Sequence, residues 1–128
     1  FRDFFYSDSG LLASIIILNV VAKLKAEGRK LSELVADIVK YENSGEINFT
    51  IQDKKGAMEA IKDACCAQEE PIKVMDFDGY RIEFKDWWFN VRPSNTEPYL
   101  RLLMEARDEA LLSEKLNFIK GILQTFTR

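Results

Sequence analysis

Seven consecutive residues, Arg92-Pro93-Ser94-Asn95-Thr96-Glu97-Pro98, concentrate the chemistry that this 128-residue chain can offer. Arg92 supplies a planar, permanently charged fork matched to phosphate oxygens. Ser94, Asn95 and Thr96 follow it directly. They add neutral donors at turn positions where backbone N–H groups also point inward and form an anion nest. Pro93 and Pro98 brace the loop at both ends, which lowers the cost of ordering it around a ligand. With charge-assisted hydrogen bonds at about 1.5–3 kcal/mol each, a few of them would hold a phosphate dianion firmly. The alternative is a plain polar hairpin loop, since Pro, Ser, Asn and Thr are ordinary turn residues. Glu97 speaks against an anion site unless it points away or accepts a hydrogen bond from a ligand hydroxyl.

Most other chemistry is excluded. The chain has no histidine, which removes Ser-His-Asp and Cys-His pairs and the commonest metal ligand. Its two cysteines, Cys65 and Cys66, are adjacent. They cannot staple a fold, and they read as small buried packing in a reducing compartment. Asp76, Asp78 and Asp86 are spaced as turn residues, not as a metal loop, so no metal site is expected here. Formal charge is −3, and from Tyr80 to Arg107 five basic residues face four acidic ones. That balance is too small to displace counterions along a nucleic-acid backbone, so no nucleic-acid partner is expected. The apolar run Leu11 to Ala22 is broken by Ser14 and Asn19 and is shorter than the roughly 20 residues of a membrane span. Nothing in the opening residues resembles a secretory leader. A cytoplasmic chain without a membrane partner, cut from something longer, is the expectation.

The elements that must position the loop follow from periodicity. Phe1–Tyr6 reads as the tail of a strand or an extended entry segment. Asp8-Ser9-Gly10 caps a helix through Ala26 that is apolar nearly all round and therefore expected to be buried on most sides. Gly28 stops it, and Leu31, Leu34, Val35, Ile38 and Val39 mark a second helix. Asn43-Ser44-Gly45 is a break. Beyond it, Ile47, Phe49 and Ile51 alternate as a half-buried strand, Lys54 to Ala67 returns to helical spacing, and Ile72 to Phe77 is a short strand. Asp78-Gly79 marks a hairpin, and Tyr80, Ile82 and Phe84 alternate. The phase then slips, so Lys85-Asp86 is a turn or bulge before Trp87, Phe89 and Val91. Leu100, Leu102 and Met104 face inward on a last strand, and Leu111 to Phe126 forms a final helix.

The fold class is therefore α+β, with the order β-α-β-β-β-β-α, a mostly antiparallel sheet and both helices on one face. Two helices left from an α/β domain precede it. The expected domains are residues 1–41 and 42–128, with Tyr41–Gly45 as the linker. If the hairpin loop runs from Pro93 to Pro98, Arg92 opposes Tyr99, Val91 opposes Leu100, Phe89 opposes Leu102 and Trp87 opposes Met104. Inward residues then meet inward residues throughout. In that register Arg101 lies opposite Asn90 on the Arg92 face. It either adds positive potential as a secondary contributor or forms a salt bridge with Glu83 or Glu105. Trp87 belongs to the core. Trp88 lies on the other face, where packing against a neighbouring domain is favoured over sugar stacking.

The loop residues, extended by Trp87-Trp88-Phe89-Asn90-Val91 before and Leu100-Arg101-Leu102 after, resemble the phosphate-binding loop of the alpha-D-phosphohexomutases, in their bacterial and archaeal phosphomannomutase/phosphoglucomutase group. Phe1-Arg2-Asp3 with Asp8-Ser9-Gly10 resembles the stretch after that family's third-domain sugar-binding loop. Ser44-Gly45-Glu46-Ile47-Asn48 resembles the start of its fourth domain. The resemblance implies a four-domain isomerase of carbohydrate metabolism that interconverts 1-phospho and 6-phospho hexoses by reversible phosphoryl transfer. A first-domain phosphoserine would be the donor and a second-domain aspartate loop would hold Mg²⁺. Carried over by position, Arg92, Ser94, Asn95 and Thr96 would clamp the phosphate that is not reacting. The implied partners are a hexose phosphate and the other three domains.

The nucleophilic serine motif, the metal loop and the third-domain sugar-reading loop are missing from this sequence, and Ser9 reads as a helix cap. No catalytic residue is expected here, and the chain alone is expected to be inactive. Tyr41–Gly45 reads as a hinge for closure over substrate. A small-molecule regulatory α+β domain with an anion loop is the rival reading.

Overall fold

Alternation along two long strands organises the larger part of the molecule. The computed structural model describes residues 1–127. The chain divides into two compact units, Phe1–Lys40 and Tyr41 onward.

The first unit contains α1 (Gly10–Ala26) and α2 (Leu31–Ile38). Ser9 caps α1, its hydroxyl accepting the Leu12 N–H at 3.2 Å. Phe1–Tyr6 forms neither the strand nor the extended entry segment expected of it. A strand needs a neighbour for its amides, and the unit contains none among its described residues. Local turns take up the bonds instead, with Ser7 N–H donating to Phe4 O at 2.8 Å. The expected burial of α1 is also not met. Leu24 is buried, but Leu11, Ile15, Ile16, Ile17 and Leu18 are all exposed.

The second unit contains β1 (Glu42–Asn43), β2 (Ile47–Thr50), α3 (Lys54–Gln68), β3 (Lys73–Met75), β4 (Tyr80–Glu83), β5 (Trp87–Pro93), β6 (Tyr99–Ala106) and α4 (Glu109–Gln124). It is an α+β fold. The six strands form one sheet in the order β1-β6-β5-β4-β3, with β2 also paired to β6, and every pairing is antiparallel. Alternate residues of β5 and β6 are buried: Trp87, Phe89 and Val91, then Leu100, Leu102, Met104 and Ala106. They share one core with Ala57, Ile61 and Cys65 of α3 and Leu112, Ile119 and Leu123 of α4. Both helices therefore cover the same face. Lys85-Asp86 is the turn that the phase slip requires: Phe84 N–H donates to Trp87 O at 2.9 Å. The Phe84 and Trp87 rings, brought to the same face, stack with centroids 4.3 Å apart.

Two details differ from the sequence reading. Arg92 opposes Arg101, not Tyr99; likewise Val91 meets Leu102, Phe89 meets Met104 and Trp87 meets Ala106. A slip by two leaves every side chain on its own face, so alternation cannot detect it. Turn closure decides the register: Ser94 N–H donates to Tyr99 O at 2.8 Å. Pro93 then occupies a position whose missing N–H would face away from β6, beyond the last pair of β4, so no ladder bond is lost.

The second difference concerns Tyr41–Gly45. Instead of a free linker, it contributes β1, pairing Glu42 with Ala106 and Asn43 with Glu105. Ser44 continues the edge through Ser44 N–H to Met104 O at 3.0 Å and Met104 N–H to Ser44 Oγ at 2.9 Å. β2 resumes with Ile47 opposite Leu102. Continuing both registers leaves Gly45 as one unpaired extra residue, a β-bulge. Its φ of +64° suits the glycine. The bulge resets the phase, so Ile47 and Phe49 turn inward while Glu46, Asn48 and Thr50 turn to the face without helices.

Candidate functional site

That helix-free face carries the charge. Arg81, Glu83, Trp88, Asn90, Arg92, Arg101, Leu103 and Glu105 alternate with the core positions of β4, β5 and β6. Toward one end, Arg81 donates to Glu83 at 2.9 Å and its guanidinium lies 3.9 Å over the Trp88 ring. Trp88 Nε1 and Asn43 Nδ2 both donate to Glu105, at 3.0 and 2.7 Å. Glu83 and Glu105 are thus engaged elsewhere and are not the partners of Arg101, contrary to the sequence-based alternative. Trp87 is a core residue, with its Nε1 donating to Glu69 at 2.9 Å.

Toward the other end, two guanidiniums face outward from directly opposed positions. Like charges across a strand pair are unfavourable, and Glu46 offsets them. One of its carboxylate oxygens lies 3.6 Å from Arg92 and the other 3.5 Å from Arg101. Asp78 Oδ2 stands 3.9 Å from Arg92, and Glu97 accepts from Arg101 at 3.1 Å. Asp78 reaches Arg92 because Gly79 (φ +78°) lets the β3–β4 tip close against β5. A Cβ at Gly79 would collide with Val91 O and with Arg92.

The loop is pinned at its base and open at its tip. Ser94 Oγ accepts from Glu97 N–H at 3.3 Å and lies 3.4 Å from Arg101 Nη2. Lys54 Nζ donates to Glu97 O at 3.0 Å. Arg92, Ser94 and Arg101 therefore come together, whereas Asn95 and Thr96 are exposed at the tip. Arg101 Nε is buried with no hydrogen-bond partner among the described residues. Beside the two arginines, with Glu46, Asn90 and Leu103 in its wall, is a concavity of about 270 Å³. That is below the roughly 300–1,000 Å³ of sites that enclose a whole small molecule, and it suits one charged end of a ligand. Among the described residues no cluster of His, Cys, Asp and Glu could hold a metal ion. No described helix is long and apolar enough to cross a membrane.

Sequence reasoning missed Glu46 and Asp78 as partners of the arginine pair. Glu46 depends on the pairing of β2 with a strand more than fifty residues away, which no local pattern encodes. Asp78 was legible only as a turn residue.

The residues 46–119 match the family described as phosphoglucomutase/phosphomannomutase, C-terminal domain, and this span includes the arginine pair, the loop and Glu46. The chain belongs to the phosphoglucomutase/phosphomannomutase family. A phosphomannomutase of Methanocaldococcus jannaschii is 44% identical over 96% of this chain and 26% of its own length. A protein of Xanthomonas campestris pv. campestris named for phosphohexose mutases is 40% identical over 97% of this chain and 27% of its own length. The chain thus spans about a quarter of the length of the curated relatives it matches. A crystal structure of a phosphoglucomutase/phosphomannomutase family protein from Burkholderia thailandensis superposes with a TM-score of 0.64 at 23% identity, covering 98% of this chain and 26% of that one. It supports the α+β fold.

Proposed function

We propose that this chain is the C-terminal part of a phosphohexomutase, with residues 1–41 a remnant of the preceding domain and residues 42–128 the domain that captures a sugar phosphate. The parent would interconvert hexose 6-phosphate and hexose 1-phosphate, and a cytoplasmic location accords with that role. Arg92 and Arg101 would bind the phosphate that is not reacting, with Ser94 beside them and the exposed Asn95 and Thr96 folding onto the ligand from the tip. The observation that supports this most is the opposed arginine pair, both of whose side chains line one concavity. A phosphate offers three acceptor oxygens to that arrangement, and the family match favours this reading over a regulatory domain.

In this role the residues orient and hold. Enzymatic phosphoryl transfer depends chiefly on positioning and electrostatics, so an anchored distal phosphate would fix the sugar while the reacting end is processed elsewhere. The Mg²⁺ that the family resemblance implies has no fitting ligand cluster among the described residues. The chain alone would turn over no hexose phosphate.

Titrating the chain with glucose 6-phosphate and following backbone amide shifts by NMR tests the assignment. The largest shifts are expected at Arg92–Thr96 and Arg101; shifts centred elsewhere would refute it.

A further inference from the structure

Glu46 places a carboxylate against the two guanidiniums that a phosphate would need, and nothing in the capture role calls for it. Its two oxygens address the two arginines separately, at 3.6 and 3.5 Å. Glu97 forms an ion pair with Arg101 only, and Asp78 with Arg92 only. These separations are ion-pair distances, longer than good hydrogen bonds, and the side chains involved are partly exposed. The contact is therefore loose enough to be exchanged. The backbone that delivers Glu46 is not loose: the Gly45 bulge turns it to this face, and Asn43 Oδ1, accepting the Gly45 N–H at 2.6 Å, holds the bulge together.

We propose that Glu46 is a specificity-determining residue, a tethered carboxylate that fills the anion site until a phosphate dianion displaces it. The idea rests on the phosphate-capture reading and adds to it a filter. A free monocarboxylate offers the arginines the same chemistry as Glu46 but must compete with a group held at high effective concentration. A phosphate ester brings a second negative charge and a third acceptor oxygen to the same two guanidiniums. The site accordingly rejects carboxylates and admits phosphate.

The test uses the 128-residue chain and its Glu46→Gln and Glu46→Asp variants, with thermal melts confirming that each is folded. Inorganic phosphate and sodium acetate are titrated separately above neutral pH, and the Nε–H resonances of Arg92 and Arg101 are followed by NMR. Wild type is expected to respond to phosphate and not to acetate. In Glu46→Gln phosphate should bind about three- to tenfold more tightly, the worth of exposed ion pairs, and acetate should begin to bind. Glu46→Asp keeps the charge but withdraws it by one methylene, and should lie between the two. Unchanged or weaker phosphate binding in Glu46→Gln, or an acetate response that does not differ from wild type, overturns the filter while leaving the phosphate site standing. So does a Glu46→Asp variant identical to wild type, since the field of the charge and not its contact would then be responsible. If no variant responds to phosphate, the capture reading fails and the filter with it.

Discussion

The two faces of the sheet are written by the same strands in alternation, and they obey different rules. On the helix-covered face Phe89, Val91, Leu100, Leu102 and Met104 are fully buried. They are held by non-directional burial, so neighbours can repack but cannot be removed. On the open face Arg92, Arg101, Glu46, Glu97 and Asp78 form partly exposed ion pairs. Such pairs contribute little to stability, so their arrangement is available for ligand exchange. The core face fixes which side chains point outward, and the register set by the Ser94–Tyr99 closure holds two like charges side by side on the open face.

The sharpest way to break this contrast is to truncate one residue from each face. Phe89→Ala is expected to cost about 3–5 kcal/mol in urea unfolding. Arg92→Ala should change stability by less than about 1 kcal/mol yet weaken phosphate binding about ten- to a hundredfold, as loss of charge-assisted bonds implies. A comparable stability loss in both variants would assign Arg92 a structural role. Arg92→Lys should recover only part of the binding, because an ammonium cannot replace the planar fork.

A smaller effect is expected where the faces meet. Gly79→Ala introduces a side chain at a positive φ and into the backbone of Val91 and Arg92. It should cost at least about 1–2 kcal/mol in thermal or urea unfolding and also shift the Arg92 resonances. Stability lost with Arg92 unmoved would show that the tip does not position the guanidinium.

A last prediction probes the core face by pH. Burial pushes the Cys65 thiol up from 9.0 to about 12, with the neighbouring Cys66 acting in the same direction. A raised pKa on a group that is neutral when protonated means that the associated stability is fully present below about pH 9 and is lost as pH rises toward about 12. Unfolding curves across that range should fall less steeply for Cys65→Ala than for wild type, and equal slopes would contradict a buried neutral thiol.

Much of this was legible in the sequence for physical reasons. Helices with apolar stripes, such as Leu111 to Phe126, and the alternation of Trp87, Phe89 and Val91 reflect burial, which residue type records directly. The loop was legible as a hairpin turn because Pro93, Ser94, Asn95, Thr96 and Pro98 are turn formers flanked by alternating strands. Register was not, because a slip by two is silent to alternation and only the Ser94–Tyr99 closure distinguishes the choices. The strand at Glu42–Asn43 was hidden by its turn-like neighbours Ser44 and Gly45, whose pairing is supplied by β6 far along the chain. The exposed flank of α1 shows the converse: composition records an appetite for burial, and a chain that spans about a quarter of its relatives' length need not contain what satisfies it.

Gly45 also sets a rule for joining sequences. Because the chain changes parity at that one residue, a chimera that borrows an upstream segment must splice before it and keep the count. A junction one residue short would send the Glu46 carboxylate toward the hydrocarbon side and leave Arg92 and Arg101 without the one carboxylate that faces both, Asp78 and Glu97 each reaching only one of them.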